Sequence, residues 1–400
     1  MTDEMLASFA GTYGTPAYIF DVAAMKERVL LIRKLWGKDV RLCYSVKANP
    51  FVIPAMLEVV DMLEVCSPGE LDICRTLGIG AGRLVYSGIS KGAGDIARAV
   101  DFGCMVYTAE SVRQLCLLNA EGARRGLVLP VLLRLNAGSQ FGMSEADLRN
   151  VLEQHETYAN VNIEGLHYFA GTQRWKTVMQ AEELEMLRKL YSSLRMEYGI
   201  PLPRLEYGPG LPCPYFDSDD FSDTLRPARN VAPVIVQTAD WVELTVEMGR
   251  FFTAPGGYYL TQVVDTKEDR GIAYAVLDGG MHHVSYYGQV MGMKLPVIRH
   301  LRMRGMPGNE EKRRTWTLCG SLCTVADVLV RRMEFNHLEL DDVLAFCNTG
   351  AYSVTEGMGL FLSRALPRVI LHDGNGGGSV LVRDVTETSV LNTPKEYEKE

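Results

Sequence analysis

Three short motifs combine residue types that can do chemistry together. Lys47 lies in YSVKANP (44–50), Gly208 and Gly210 in GPG (208–210), and Glu247, Gly249 and Arg250 in EMGR (247–250). Glycines let backbone N–H groups approach an anion closely, and an arginine can pair with it, so the second and third motifs suit a phosphate. A lysine amine opposite a phosphate site suits an aldehyde cofactor. The expectation is pyridoxal phosphate held as a Schiff base on Lys47. Glu247 would then face the pyridine nitrogen and keep it protonated, which makes the ring the electron sink that losing CO₂ from an amino acid demands. Each motif also has a plainer reading: a solvated or paired lysine, an ordinary turn, a tetrapeptide without meaning. Their place among the surrounding elements decides between the two.

Up to about residue 250, amphipathic stretches alternate with short apolar ones. Helical spacing over 22–36 (Met25, Val29, Ile32, Leu35) precedes an expected strand at 40–45. Further strands are expected at 61–66, 83–87, 104–108, 129–135, 161–168, 203–208 and 240–247. Eight such units within roughly 230 residues imply a parallel sheet closed into a (β/α)8 TIM barrel. In such barrels chemistry gathers at the C-terminal strand ends, with phosphate sites favouring the loops after the last two strands. Lys47, Glu70, Arg134, the run 167–173, GPG and EMGR all fall at those ends. That shared location favours the site over the plainer readings. Beyond 250, short β-branched stretches bounded by Gly, Asp and Pro point to an antiparallel β domain. The expected division is a barrel over 22–250, a β domain from 1–21 plus 251–392, and a charged tail over 393–400.

Composition narrows the classes. A chain of 400 residues, 47% hydrophobic and 22% charged, is not mainly disordered, collagenous or coiled-coil. A formal net charge of 41 − 49 = −8 provides no overall field for nucleic acid or an anionic membrane. Apolar runs such as VLPVLL end at Arg134, well short of the roughly 18 residues a membrane span needs. The start, MTDEMLASF, has no basic region ahead of an apolar core, so no signal peptide is expected. Nine cysteines, an odd number with several inside apolar runs, read as reduced thiols, and a cytoplasmic location is expected.

Taken in order, the motifs resemble those of the fold-type III pyridoxal-phosphate decarboxylases, which include diaminopimelate and ornithine decarboxylases. GTPAYIFD (14–21), YSVKANP, EVCSPGEL (64–71), SQFGM (139–143), GPGLPCPY (208–215), EMGR, DGGM (278–281), CGSLCTVAD (319–327) and NTGAY (348–352) are collinear with family motifs. The resemblance implies an alanine-racemase-like barrel followed by a β domain. By position, Lys47 would bear the cofactor and Glu247 would contact its pyridine nitrogen. Gly208, Gly210, Gly249 and Arg250 would hold the phosphate. Glu70 and Arg134 would support the ring, Phe169 and Thr172 would adjoin it, and Tyr352 would close on it. Cys323 aligns with the cysteine that protonates the substrate carbon. In the family that cysteine comes from the partner subunit, which implies a homodimer with shared active sites.

Departures from the family bear on the substrate. Phe169, in HYFAGTQ (167–173), stands where the family has a histidine stacked on the ring; a phenyl ring can stack but cannot titrate. His167, two residues earlier, is read as a satisfied barrel histidine without a catalytic role. Thr324 follows Cys323 where the family has an acid that grips a distal ammonium, and a hydroxyl offers no charge-assisted grip. MHHVSYYGQVMG (281–292) also lacks the Arg-Pro that diaminopimelate enzymes use. A substrate without a distal amine is implied, and the combination resembles the subgroup acting on amino acids tethered to a carrier protein, glutamyl ones among them. His283 and Tyr287 would line a mouth open to a long substituent, with Thr324 facing the substrate. Neither His282-His283 nor Cys319 with Cys323 is read as a metal site, because adjacent strand residues point apart and ligand spacing is missing. The basic run over 299–314 is a solvated loop or, on a weaker reading, a dock for an acidic carrier protein. The alternatives are a decarboxylase of diaminopimelate or another free diamino acid, and a non-catalytic cofactor-binding relative. Racemases of this fold carry an arginine at the pyridine nitrogen, so Glu247 speaks against racemisation.

Overall fold

A computed structural model describes residues 1–286, 291–303, 313–336, 338–374 and 377–394. The chain opens with a helix, Asp3–Tyr13, and a buried strand β1 (Ala17–Asp21). Eight strands follow: β2 (Arg41–Ser45), β3 (Met62–Val65), β4 (Leu84–Tyr86), β5 (Val106–Ala109), β6 (Leu129–Arg134), β7 (Val161–Phe169), β8 (Arg204–Gly208) and β9 (Glu243–Met248). They pair in parallel in that order, and β2 closes on β9 through Leu42 with Val246 and Tyr44 with Met248. The barrel read from hydrophobic alternation is present.

Local chemistry sets the connecting helices. Ser67, Ser111 and Ser144 cap the helices Pro68–Thr76, Val112–Arg125 and Glu145–Glu153, each hydroxyl accepting an N–H that the first turn leaves unpaired. Gly103 and Gly126 end helices in the left-handed conformation.

Side chains alternate along the barrel strands, and that period separates two layers of the interior. Cys43, Met62, Val85, Val106 and Leu132 pack as one buried apolar cluster. Two residues further along the same strands stand Ser45, Glu64, Ser87, Thr108 and Arg134, which are buried yet polar. The upper layer, at the C-terminal strand ends, is therefore wired by hydrogen bonds, as Ser87 Oγ donating to Thr108 Oγ1 at 3.1 Å shows.

The remaining strands are β10 (Gly257–Asp269), β11 (Ile272–Leu277), β12 (Ile298–Leu301), β13 (Arg313–Cys319), β14 (Val328–Asn336), β15 (Val343–Cys347), β16 (Arg368–His372) and β17 (Ser379–Arg383). They form a sheet ordered β14-β13-β11-β10-β1-β16-β17, with β15 pairing both β10 and β12. Most pairs are antiparallel. The exceptions are β1 with β16 and β11 with β13, which run parallel because β1 enters from the far end of the chain and β13 crosses over from β11.

Two compact units result: residues 1–25, 214–222 and 253–400, and residues 26–213 with 223–252. The boundary departs from the expected one at 214–222. There Phe216 bridges Pro296 and the Asp217 N–H donates to Leu295 carbonyl at 2.9 Å, so this loop is bonded into the β unit. All nine cysteines are free thiols. Among the described residues no helix is long and apolar enough to cross a membrane.

Candidate active site

At the C-terminal end of the barrel a cavity of about 390 Å³ is lined by Lys47, Glu64, Cys66, Arg134, His167, Phe169 and Glu247, among others. Lys47 follows β2 in a short helical turn, Val46–Ala48, and reaches back to the floor. Its ammonium donates to Glu64 Oε2 at 2.7 Å and Oε1 at 3.1 Å, and lies 3.6 Å from Glu247 Oε1 and 3.4 Å from Cys66 Sγ. Two inward carboxylates thus hold one half-buried amine at the centre of the opening.

Glu247, the last inward residue of β9, is fixed at both oxygens. Ser45 Oγ donates to Oε1 at 3.0 Å and His167 Nε2 lies 2.9 Å from Oε2. Burial opposes its ionisation, but the Lys47 ammonium and the His167 hydrogen bond outweigh burial and hold its carboxyl below the usual range. Glu206, the inward residue of β8, shows the opposite balance: burial and the charges of Glu247 and Glu64 push it well above its ordinary value. One ligand-type atom each of His167, Glu206 and Glu247 lies within 4.8 Å of the others. Metal ligands can be spaced in this way, but the Lys47 ammonium already supplies positive charge beside Glu247.

The walls are equally tied. Arg134 donates to Glu110 Oε1 at 2.6 Å and its guanidinium lies 4.6 Å from the Phe141 ring; the other Glu110 oxygen accepts the Gly142 N–H at 3.0 Å. The rim residues 88–90 are held by Lys91, whose ammonium donates to the carbonyls of Gly88 at 2.7 Å and Thr108 at 2.6 Å and whose pKa burial pushes down to about 8. Beyond β8, Gly210 has φ +60°, and a Cβ there would sit 1.8 Å from Gly171 carbonyl oxygen. A Cβ on Gly208 would strike the Phe169 ring at 2.4 Å, so glycine lets that ring lie against the loop. Gln173 clamps the loop by donating to Cys213 carbonyl at 2.9 Å and accepting its N–H at 2.7 Å. A flat ring fits a cavity of this size (pockets of ~300 Å³ upward hold small ligands), with an amine, a buried acceptor and an aromatic face around it.

Several expected residues stand elsewhere. Glu70 accepts the Cys66 N–H at 2.6 Å, so its carboxylate shapes the loop after β3. Thr172 is exposed on the loop after β7. His283, expected at an open mouth, is 4% exposed: the Tyr259 hydroxyl lies 3.1 Å from its Nδ1 and Ala365 carbonyl oxygen 2.8 Å from its Nε2. Its polar capacity is spent inside the β unit, so it cannot line a mouth. Tyr287 lies outside the described residues, as do 304–312 of the basic run and 395–400 of the tail. The flanking members of that run already have acidic partners: Arg299 with Asp3, His300 with Asp342, Arg313 with Glu334 and Arg314 with Glu268. Cys323 and Thr324 belong to the β unit, on an open cavity of about 780 Å³ with Cys319, Lys267 and Arg331. Tyr352, also in that unit, is half-buried with φ +63°.

The sequence reading missed Glu64, Cys66, Glu110 and Glu206, and it dismissed His167. A signal was present: ionisable residues inside strands buried on both faces are rare unless paired, and MLEV, RLEYG and GLHYF each carry one.

A family model, "Pyridoxal-dependent decarboxylase, pyridoxal binding domain", matches residues 22–254. The chain belongs to this family. It is a carboxy-lyase that uses pyridoxal phosphate, which removes the racemase and non-catalytic readings. Relatives include an L-glutamyl-[BtrI acyl-carrier protein] decarboxylase from Niallia circulans, 26% identical over 96% of this chain and 95% of its own. A 2-[(L-alanin-3-ylcarbamoyl)methyl]-2-hydroxybutanedioate decarboxylase from Staphylococcus aureus is 26% identical over 88% and 93%. A diaminopimelate decarboxylase from Aquifex aeolicus is 27% identical over 87% and 84%. Among solved structures, AQ1208 from Aquifex aeolicus superposes with a TM-score of 0.84 at 25% identity, covering 97% of this chain and 93% of that one.

Proposed function

We propose that this decarboxylase removes the α-carboxylate of an amino acid that carries no free distal amine, a carrier-tethered glutamyl group being one such substrate. The observation that carries the reading is Thr324 after Cys323, a neutral hydroxyl where a diamino acid would need a carboxylate. Two relatives support it by name, one acting on a glutamyl carrier protein and one on an alanine whose C3 bears an amide. The diaminopimelate decarboxylase from Aquifex aeolicus, at 27% identity, supports a free diamino acid as the second reading.

In the proposed assignment Lys47 holds the cofactor aldehyde covalently, Glu247 accepts from the pyridine nitrogen, and Phe169 covers one ring face. Gly208, Gly210, Gly249 and Arg250 cradle the phosphate. Bound there, the cofactor supplies an electron sink for the pair left when the Cα–carboxylate bond breaks and CO₂ departs. The protein's tasks are then local. Glu64 orients the Lys47 amine, and Arg134, anchored on Glu110, braces the wall. Cys323 of the partner subunit passes its thiol proton to Cα, and Tyr352 closes on the cofactor. This requires a homodimer.

The test is a CO₂-release screen of free glutamate, lysine, ornithine and diaminopimelate beside aminoacyl carrier proteins and distally amidated amino acids. Turnover confined to the acylated substrates is the expected result. Efficient turnover of diaminopimelate would overturn the reading and install the second one.

A further inference from the structure

His167 and Glu206 are buried ionisable groups that neither the fold nor any cofactor contact yet accounts for. His167 is 1% exposed and Glu206 2%. His167 Nε2 lies 2.9 Å from Glu247 Oε2, while its Nδ1 has no hydrogen-bond partner; Glu206 Oε1 has none either, among the described residues. A carboxylate only accepts, so a nitrogen at that distance from ionised Glu247 must carry a proton. A second proton on Nδ1 would find no acceptor among the described residues, which is costly for a buried donor. The geometry therefore selects the neutral ring with its one proton on Nε2.

Neutrality matters to the partner. A cationic imidazolium would compensate the charge of Glu247 and weaken its hold on a pyridinium proton. A neutral donor aligns the carboxylate without spending that charge. Burial beside Glu247 and Glu64 pushes the Glu206 pKa well up, which disfavours a second negative charge on the floor.

We propose that His167 is a positioning residue: as the Nε2–H tautomer it donates to Glu247 Oε2, and with Ser45 on the other oxygen it keeps that carboxylate aimed and ionised toward the cofactor's pyridine nitrogen. This rests on the assignment of Glu247 in the proposed function. His167→Gln retains a donor near the Nε2 position, whereas His167→Phe fills the space without one.

The experiment loads wild type and both variants with pyridoxal phosphate labelled with ¹⁵N in the ring and reads the pyridine nitrogen shift and the cofactor dissociation constant. Wild type and His167→Gln should show a protonated pyridine. His167→Phe should lose that signature and bind the cofactor about tenfold more weakly. A protonated pyridine in His167→Phe with affinity within about twofold of wild type overturns the proposal. Imidazole ¹⁵N shifts in the unsubstituted protein give a reading independent of any variant's folding, and a proton on Nδ1 also overturns it. Failure of wild type to form a borohydride-reducible adduct would instead defeat the Lys47 assignment and leave the tautomer measurement standing.

Discussion

The floor of the barrel and the loop carrying Cys323 are opposites in construction. At the floor the expected cofactor residues are tied down: Lys47 with Glu64, Glu247 with Ser45 and His167, Arg134 with Glu110. On the loop, Cys323 is exposed and Val325 is 99% exposed, beside a wide open cavity. The loop's own anchor is Asp327, which accepts the N–H groups of Met281 and Leu322 at 2.8 Å each and leaves the tip outside the core. In the proposed assignment this floor is preorganised to hold a charged ring at fixed distances. An exposed tip is what the proposed delivery of Cys323 to a partner subunit's site requires.

The sharpest way to break this comparison is at the floor. Lys47→Ala should abolish the yellow, borohydride-reducible adduct and lower turnover by about 10³ or more, because the covalent hold and the central charge go together. Retention of a reducible adduct would mean that another amine holds the cofactor. On the loop, Cys323→Ala should keep full cofactor content while turnover falls roughly 10²-fold and protonation at Cα loses stereochemical fidelity. Mixing that variant with Lys47→Ala should restore activity if the thiol crosses between subunits; no recovery after subunit exchange would confine it to its own chain. Smaller still, Thr324→Glu should improve discrimination in favour of a free diamino acid by about tenfold, the worth of one charge-assisted hydrogen bond at ~1.4 kcal/mol. Unchanged selectivity would remove Thr324 from substrate recognition.

A separate effect concerns the stability of the β unit itself. Burial, with the Arg364 charge, pushes the His282 pKa down to about 4, and burial with neighbouring His282 pushes His283 down to about 3. Both lie below the ordinary 6.5, so the unfolded chain takes up these protons first as pH falls. Stability linked to them is whole above pH 6.5 and is lost progressively toward pH 3–4. Denaturation followed across that window should show it, and His282→Gln should flatten the slope. An unaltered slope in that variant would place the acid sensitivity elsewhere.

Much of the barrel was legible because its signal is local. Strand and helix periods, serine caps and terminal glycines are all short-range, and the motif order added the cofactor. The partners of the motif residues were not legible. Glu64 meets Lys47 from the adjacent strand β3, and Glu110 meets Arg134 from β5, because closure of the barrel turns alternate side chains of neighbouring strands to one centre. His283 was misplaced because the resemblance set it at an open mouth, whereas Tyr259 and Ala365, 24 and 82 residues away, satisfy it inside the β unit.

By itself the sequence determined the barrel, the β domain after it and the cofactor class, since periodicity and collinear motifs need no knowledge of distant contacts. Only the tertiary structure decided the charge arrangement at the floor. The downward shift of Glu247, the upward shift of Glu206 and the contact of His167 with Glu247 depend on burial and on which groups from β3, β7, β8 and β9 converge. Those quantities exist only once the strands have closed.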